Sequence, residues 1–83
     1  MKSREGFFHL HMISDSTGET LIAVARAAAA QYTEIRAVEH VHSMIRTTAQ
    51  LERVIASLED KPGIVLYTLV DGSLGERLEA ACR

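Results

Sequence analysis

The stretch Ser14-Asp15-Ser16-Thr17-Gly18-Glu19 gathers three hydroxyls, two carboxylates and a glycine within six positions. It lies where a strand-like apolar run gives way to a helical pattern, so free amides and the positive end of a helix dipole favour negative charge there. Phosphate is the natural ligand for such a turn. Small hydroxyl side chains and Gly18 let backbone and side-chain donors approach several oxygens of one anion, while Asp15 could hold a metal ion or accept a proton. The same residues have a local use as well, because Ser16 followed three positions later by Glu19 forms a capping box that satisfies two helix amides.

Arg46 and Asp71 belong with this loop. Arg46 follows the second strand-like run and precedes Thr47, a position from which a guanidinium can reach across as a bidentate phosphate ligand or remain a solvated surface group. Asp71 ends the third apolar run; if that run lies beside the first, Asp15 and Asp71 close neighbouring strands at a topological switch point and could share a magnesium ion. An aspartate just before a helix is also common for local reasons. The loop is no Walker A sequence, since it lacks the Lys-Ser/Thr ending, and no G-x-G-x-x-G occurs in the chain.

His9 with His11 and His40 with His42 form two H-x-H pairs, each placed on one face of its strand by the two-residue period. On paired strands the four rings can converge, and four histidines are a conceivable zinc site. No cysteine or acidic residue joins them at a familiar ligand spacing, however, and the sheet faces should be covered by helices, so no metal ligand is assigned. His42 stands nearest the loops and is the one most apt to touch a substrate, with a structural role favoured. Tyr67 and Cys82 read as core or helix-packing residues, with nothing nearby to activate the thiol.

These residues need elements to position them. Phe7 to Ile13, rich in aromatic and branched residues, reads as a strand; a helix follows with Leu21, Ala25, Ala28, Ala29 and Tyr32 on its inner face. Ile35 to His42 is a second strand, and Thr47 with Gln50 makes a capping box ahead of Leu51, Val54, Ile55 and Leu58. Pro62-Gly63 ends that helix and releases Ile64 to Val70, an apolar run suited to a strand buried on both faces. Ser73 with Glu76 supplies a third capping box for a helix whose inner face carries Leu74, Leu78 and Ala81.

Strand and helix thus alternate with a period of about 28 residues, the length of a βα unit. The expected fold is α/β, a Rossmann-like fragment in which three parallel strands are joined by right-handed crossovers and every carboxyl end lies on one rim. Arg36, Glu39, His40 and His42 suit the second strand to a sheet edge, which gives the order 2-1-3. That order leaves the uncharged third strand as the other edge, a template for unwanted pairing. Either a further strand follows in a longer protein, the favoured expectation, or a second copy covers the edge in a homo-oligomer.

The 83 residues form one domain with a marginal core, and 47% hydrophobic with 24% charged residues is ordinary for a globular chain. Nine basic against eleven acidic side chains give a net charge of -2 with no block of either sign, which argues against nucleic acid or anionic membrane as a partner. The start Met1-Lys2-Ser3-Arg4-Glu5-Gly6 does not lead into a signal sequence, no apolar run approaches roughly twenty residues, and one cysteine cannot form an internal disulfide. A cytoplasmic location is expected.

Three blocks of the sequence, Phe8 to Thr20, His40-Val41-His42 with Ile45-Arg46-Thr47, and Gly63 to Asp71, together resemble the amino-terminal part of the regulatory proteins of pyruvate, phosphate dikinase and phosphoenolpyruvate synthase. The likeness covers nearly the whole chain after Gly6, and its first and third blocks are specific. It implies a bifunctional enzyme: one activity uses ADP to phosphorylate a threonine of the target, and the other uses inorganic phosphate to remove that group as pyrophosphate. Magnesium would accompany ADP. The family's glycine-rich nucleotide loop lies well beyond its amino-terminal region and has no counterpart in these 83 residues, so catalysis is expected of a longer protein, not of this part alone. Within it Asp15 is the candidate catalytic residue, and Ser14, Ser16, Thr17, Gly18, Arg46 and Asp71 are the candidates for binding phosphate or substrate. The alternative is a noncatalytic α/β module that recognises a partner protein, its Ser14 to Glu19 loop serving only as a cap.

Overall fold

A computed structural model describes residues 6–32 and 34–82; Met1 to Glu5, on which the reading of the amino-terminal start rests, lie outside them. The element order is β1 (Gly6–Ser14), α1 (Glu19–Ala29), β2 (Ile35–His42), α2 (Thr48–Asp60), β3 (Gly63–Thr68) and α3 (Gly72–Ala81). All pairing is parallel and the strand order is β2-β1-β3, as the charge of β2 and the apolar character of β3 require. β1 is therefore central. It sets Gly6 to Ile13 against Ile35 to His42 on one side and His9 to Ser14 against Gly63 to Thr68 on the other.

The alternation of β1 divides the core into two. Leu10 and Met12 pack under α1 with Ala25, Leu21, Ile22 and Leu66, whereas Ile13 joins Leu51, Val54 and Ile55 of α2 and Leu74 and Leu78 of α3 on the opposite face. Burying one such side chain stabilises the fold by about 1.5–3 kcal/mol, and Ile13, Leu51 and Leu78 are wholly buried. Gly63 marks a close approach between strands: a Cβ there would stand 2.0 Å from the carbonyl oxygen of His9. Surface pairs add ties between elements, Arg26 to Glu39 at 3.0 Å joining α1 to β2 and Arg77 to Glu52 at 2.7 Å joining α3 to α2. No helix among the described residues is long and apolar enough to cross a membrane.

Several details depart from the sequence expectation. Tyr32 lies past the end of α1 and is 61% exposed, with its ring set edge-on to Phe8, and Ala28 faces solvent; α1 buries only Ala25 fully because it meets a sheet of three strands. β3 stops at Thr68, two residues early, since the chain turns away there to meet the β1 loop and leaves Val70 90% exposed. Nor is β3 covered on both faces. Ile64 is 52% exposed, because no strand among the described residues flanks it on the far side. Cys82, expected to pack, is an exposed free thiol at the end of α3, while Tyr67 is half-buried and donates its hydroxyl hydrogen to Glu79.

Candidate functional site

The three loops that leave the carboxyl ends of the strands meet along one rim. Ser14 is buried at the end of β1; its Oγ accepts from the Ser16 amide at 3.0 Å and lies 3.1 Å from Ser16 Oγ and 3.4 Å from Thr68 Oγ1. Backbone bonds then tie the β1 loop to the β2 loop, with Ile45 N–H donating to Ser14 O at 3.0 Å and Met44 N–H to Ser16 O at 2.9 Å. Asp15 spans to the β3 loop. Its own amide donates to Thr68 O at 3.3 Å and its Oδ2 accepts from Val70 N–H at 2.8 Å.

Arg46 is brought to the same place from β2. Its Nε donates to the Asp15 carbonyl at 2.9 Å and its backbone N–H to Gln50 Oε1 at 2.7 Å, which holds the side chain across the rim with the end of the guanidinium in solvent. Thr17 and Ser16 are exposed, and Gly18 is buried with φ 80, a left-handed conformation that suits glycine. A Cβ on Gly18 would lie 3.4 Å from Ser14 Cβ. The loop is thus locked at its base and open at its tip.

Helix starts distinguish the three loops. Thr47 and Gln50 form the expected capping box on α2, with Gln50 N–H to Thr47 Oγ1 at 3.1 Å and Thr47 N–H to Gln50 Oε1 at 3.0 Å. The other two boxes are not formed. On α1 the positive φ of Gly18 moves the start to Glu19, leaving Ser16 two residues before the cap, where it turns back to Ser14; Gly18 offers no side chain to the helix amides. On α3 the cap is Asp71, two residues before Ser73: its Oδ1 accepts from Ser73 N–H at 2.8 Å, Ser73 Oγ at 2.6 Å and Leu74 N–H at 3.4 Å. The Ser73 hydroxyl first, and then the amides, hold the Asp71 carboxyl below the usual carboxylate range.

The candidate residues therefore separate. Ser14, Asp15, Ser16, Thr17, Gly18 and Arg46 form one connected group, and Asp71 stands beside it but spends Oδ1 on α3. Among the described residues no three or more His, Cys, Asp or Glu side chains come together to hold a metal ion. A cation at this rim would have to rest on Asp15 with phosphate oxygens and water completing its shell, a common arrangement for magnesium. Met44, unmarked by any sequence signal, takes φ 60 at the rim; a bulky side chain in the left-handed region is strained, and the hydrogen bond from its N–H to Ser16 O accompanies that strain.

The four histidines do converge, on the α2 and α3 face near the β2 edge. His9 Nδ1 lies 2.9 Å from His40 Nε2, and His11 Nδ1 lies 3.1 Å from His42 Nε2; the fully buried His11 also places Nε2 2.8 Å from Lys61 O. A carbonyl only accepts, so His11 donates from Nε2, accepts at Nδ1, and His42 donates to it. Among the described residues, five of the eight ring nitrogens are engaged by one another or by backbone, and His11 alone of the four has both engaged.

The family model described as kinase/pyrophosphorylase matches residues 10–83. A protein of Chelativorans sp. (strain BNC1) is 54% identical over all 83 residues, which cover 30% of its length. Proteins of Afipia carboxidovorans and Rhodopseudomonas palustris (strain HaA2) are each 58% identical, over 98% and 93% of this chain and 29% and 28% of their own lengths. All three are named pyruvate, phosphate dikinase regulatory protein. No solved structure matches the chain. The chain spans less than a third of the length of these relatives, and by both kinds of likeness it belongs to the kinase/pyrophosphorylase family.

Proposed function

We propose that these residues are the amino-terminal region of a bifunctional enzyme that regulates pyruvate, phosphate dikinase by reversible threonine phosphorylation, with ADP as phosphoryl donor in one direction and inorganic phosphate as acceptor in the other. Phosphoenolpyruvate synthase is the second target that the sequence resemblance allows. Within this enzyme the rim of Ser14, Asp15, Ser16, Thr17, Gly18 and Arg46 binds a phosphate, either the one on the target threonine or the inorganic one. The carrying observation is that α1 starts without a side-chain cap directly behind a hydroxyl-rich loop that Arg46 crosses.

Phosphoryl transfer depends mainly on positioning and on neutralising charge. The Arg46 guanidinium supplies charge, the first amides of α1 supply donors, and Thr17 and Ser16 supply hydroxyls at the tip of the loop. Asp15 is held by Val70 N–H through Oδ2 alone among the described residues, so Oδ1 is free to take a proton from an attacking hydroxyl. The nucleotide loop of the family lies in the longer protein, so this region positions one substrate and does not complete the reaction.

Two measurements test the reading. Titration of the 83-residue chain with phosphate, pyrophosphate and ADP, each with magnesium, is expected to shift the amide resonances of Thr17 to Thr20; silence from all three favours the noncatalytic partner-binding module. In a full-length relative, alanine at the positions equivalent to Asp15 and Arg46 is expected to lower both the kinase and the dephosphorylation rates at least tenfold. Unchanged rates for both variants remove these residues from the mechanism.

A further inference from the structure

The two faces of the sheet are used unequally. α1 lies alone over the face of Leu10 and Met12, while α2 and α3 share the face of Ile13, Val65 and Tyr67. The chain passes from β1 to β2 in one direction over the first face and from β2 to β3 in the opposite direction over the second. Both steps have the same hand, and connections between parallel strands are right-handed in about 98% of cases. α3 leaves β3 over the second face. A right-handed connection over that face runs in the sense of β2 to β3, away from β1, and the only position it can reach is the free edge of β3. To return to the β2 edge over α3 the connection would have to be left-handed.

The two edges agree with this direction. β2 carries Arg36, Glu39, His40 and His42, which blunt an edge against further pairing, whereas β3 reads Gly-Ile-Val-Leu-Tyr-Thr without a charge. Apolar surface flanks β3 on both sides of the sheet, with Ile64 52% exposed on the α1 face and a cleft lined by Leu58, Val65, Ala81 and Cys82 on the other. The relatives have about 70% of their length beyond the matched part to supply what covers it.

We propose that the open edge of β3 receives a fourth parallel strand, apolar on both faces, supplied by the polypeptide that follows this region in the full-length relatives and entering over α3 by a right-handed connection. The sheet then has the order β2-β1-β3-β4. The carboxyl end of β4 reaches the same rim, next to the Asp71 loop, so the loop after it closes the side of the site that is open here. The place of β4 follows from topology and edge chemistry alone, whether or not the rim binds phosphate.

Residue-resolved amide exchange on the full-length Chelativorans protein tests it. An edge strand in a parallel sheet bonds every second amide to its one neighbour, and a strand with two neighbours bonds all of them. All the amides of the stretch equivalent to Gly63–Thr68 are expected to exchange at least about a hundredfold more slowly than unprotected amides. Protection at alternate positions only overturns the proposal, and so does full protection that disappears on dilution, which would assign the edge to a second copy. A substitution adds a second measure. Ile64→Lys is expected to change the melting temperature of the 83-residue chain by no more than a few degrees and to lower that of the full-length protein by more than ten or prevent its folding; equal, small shifts in both overturn the proposal.

Discussion

Acidification from pH 7 to 5 is expected to destabilise the fold through the histidine cluster. The rings of His11 and His42 lie 5.4 Å apart between centroids and those of His11 and His40 4.5 Å apart, so charging two neighbours together costs about 1–4 kcal/mol for effective dielectric constants between 80 and 20. The hydrogen bond from His42 to His11 survives one proton on the pair but not two, because two imidazolium rings have no acceptor between them. Burial first, then His11 and His40, lower the His42 pKa from its ordinary 6.5; burial first, then His11, His9 and Lys61, lower that of His40. A folded-state value below the unfolded one means that the unfolded chain binds more protons, so this stability is intact above pH 6.5 and is lost as the pH falls. Complete neutrality of His42 in the fold would set the upper limit of the loss, about 0.7 kcal/mol from pH 7 to 6 and about 1.9 kcal/mol from pH 7 to 5, and solvent screening at this half-exposed ring makes the expected loss smaller. His40, more open to water, adds a smaller share. Urea denaturation followed by circular dichroism across pH 7.5 to 5 measures this, with His42→Gln as the comparison because glutamine keeps a donor for His11 but does not titrate. Equal stability at pH 7 and 5, or a His42→Gln chain as pH-sensitive as the parent, would refute the reasoning.

Other perturbations address single contacts. Thr47→Ala removes the formed capping box of α2 and is expected to cost about 1 kcal/mol, seen as a melting temperature lower by about 4–8 °C. Gly18→Ala places a Cβ in a left-handed turn 3.4 Å from Ser14 and is expected to cost about 1–2 kcal/mol, with Gly18→Asn milder; equal melting temperatures for both would contradict the assigned conformation. Gly63→Ala drives a Cβ into the His9 carbonyl at 2.0 Å, where only backbone can give way, so a loss of more than about 3 kcal/mol or no folded chain is expected in thermal melts.

Which parts of this molecule were legible follows from what each depends on. The charged second strand and the apolar third strand reveal the sheet order because composition records which surfaces meet water, and β2-β1-β3 follows. The histidine faces were legible from the two-residue period, but not their partners: the strand register sets His11 opposite His40, while the hydrogen bonds run diagonally, His9 to His40 and His11 to His42. Nothing in the sequence marks Met44 as left-handed, since that conformation answers to the amide bond it makes across the rim.

The capping boxes carry this furthest. Three Ser/Thr-x-x-Glu/Gln patterns look alike in sequence, yet only Thr47 with Gln50 forms one, because a single dihedral angle at Gly18 and a single carboxylate at Asp71 relocate the other two helix starts. Had Ser16 and Glu19 capped α1, its first amides would already hold a partner and the loop would have had a complete structural explanation. With Gly18 at the cap instead, Ser16 bonds to the buried Ser14 and the loop is anchored to both neighbouring strands at its base. The α2 and α3 starts are closed by side chains of their own, whereas α1 needs an anion or water to meet the same demand. That asymmetry, not the hydroxyl content of the loop, is the physical reason to look for phosphate at α1 and at neither of the other helices.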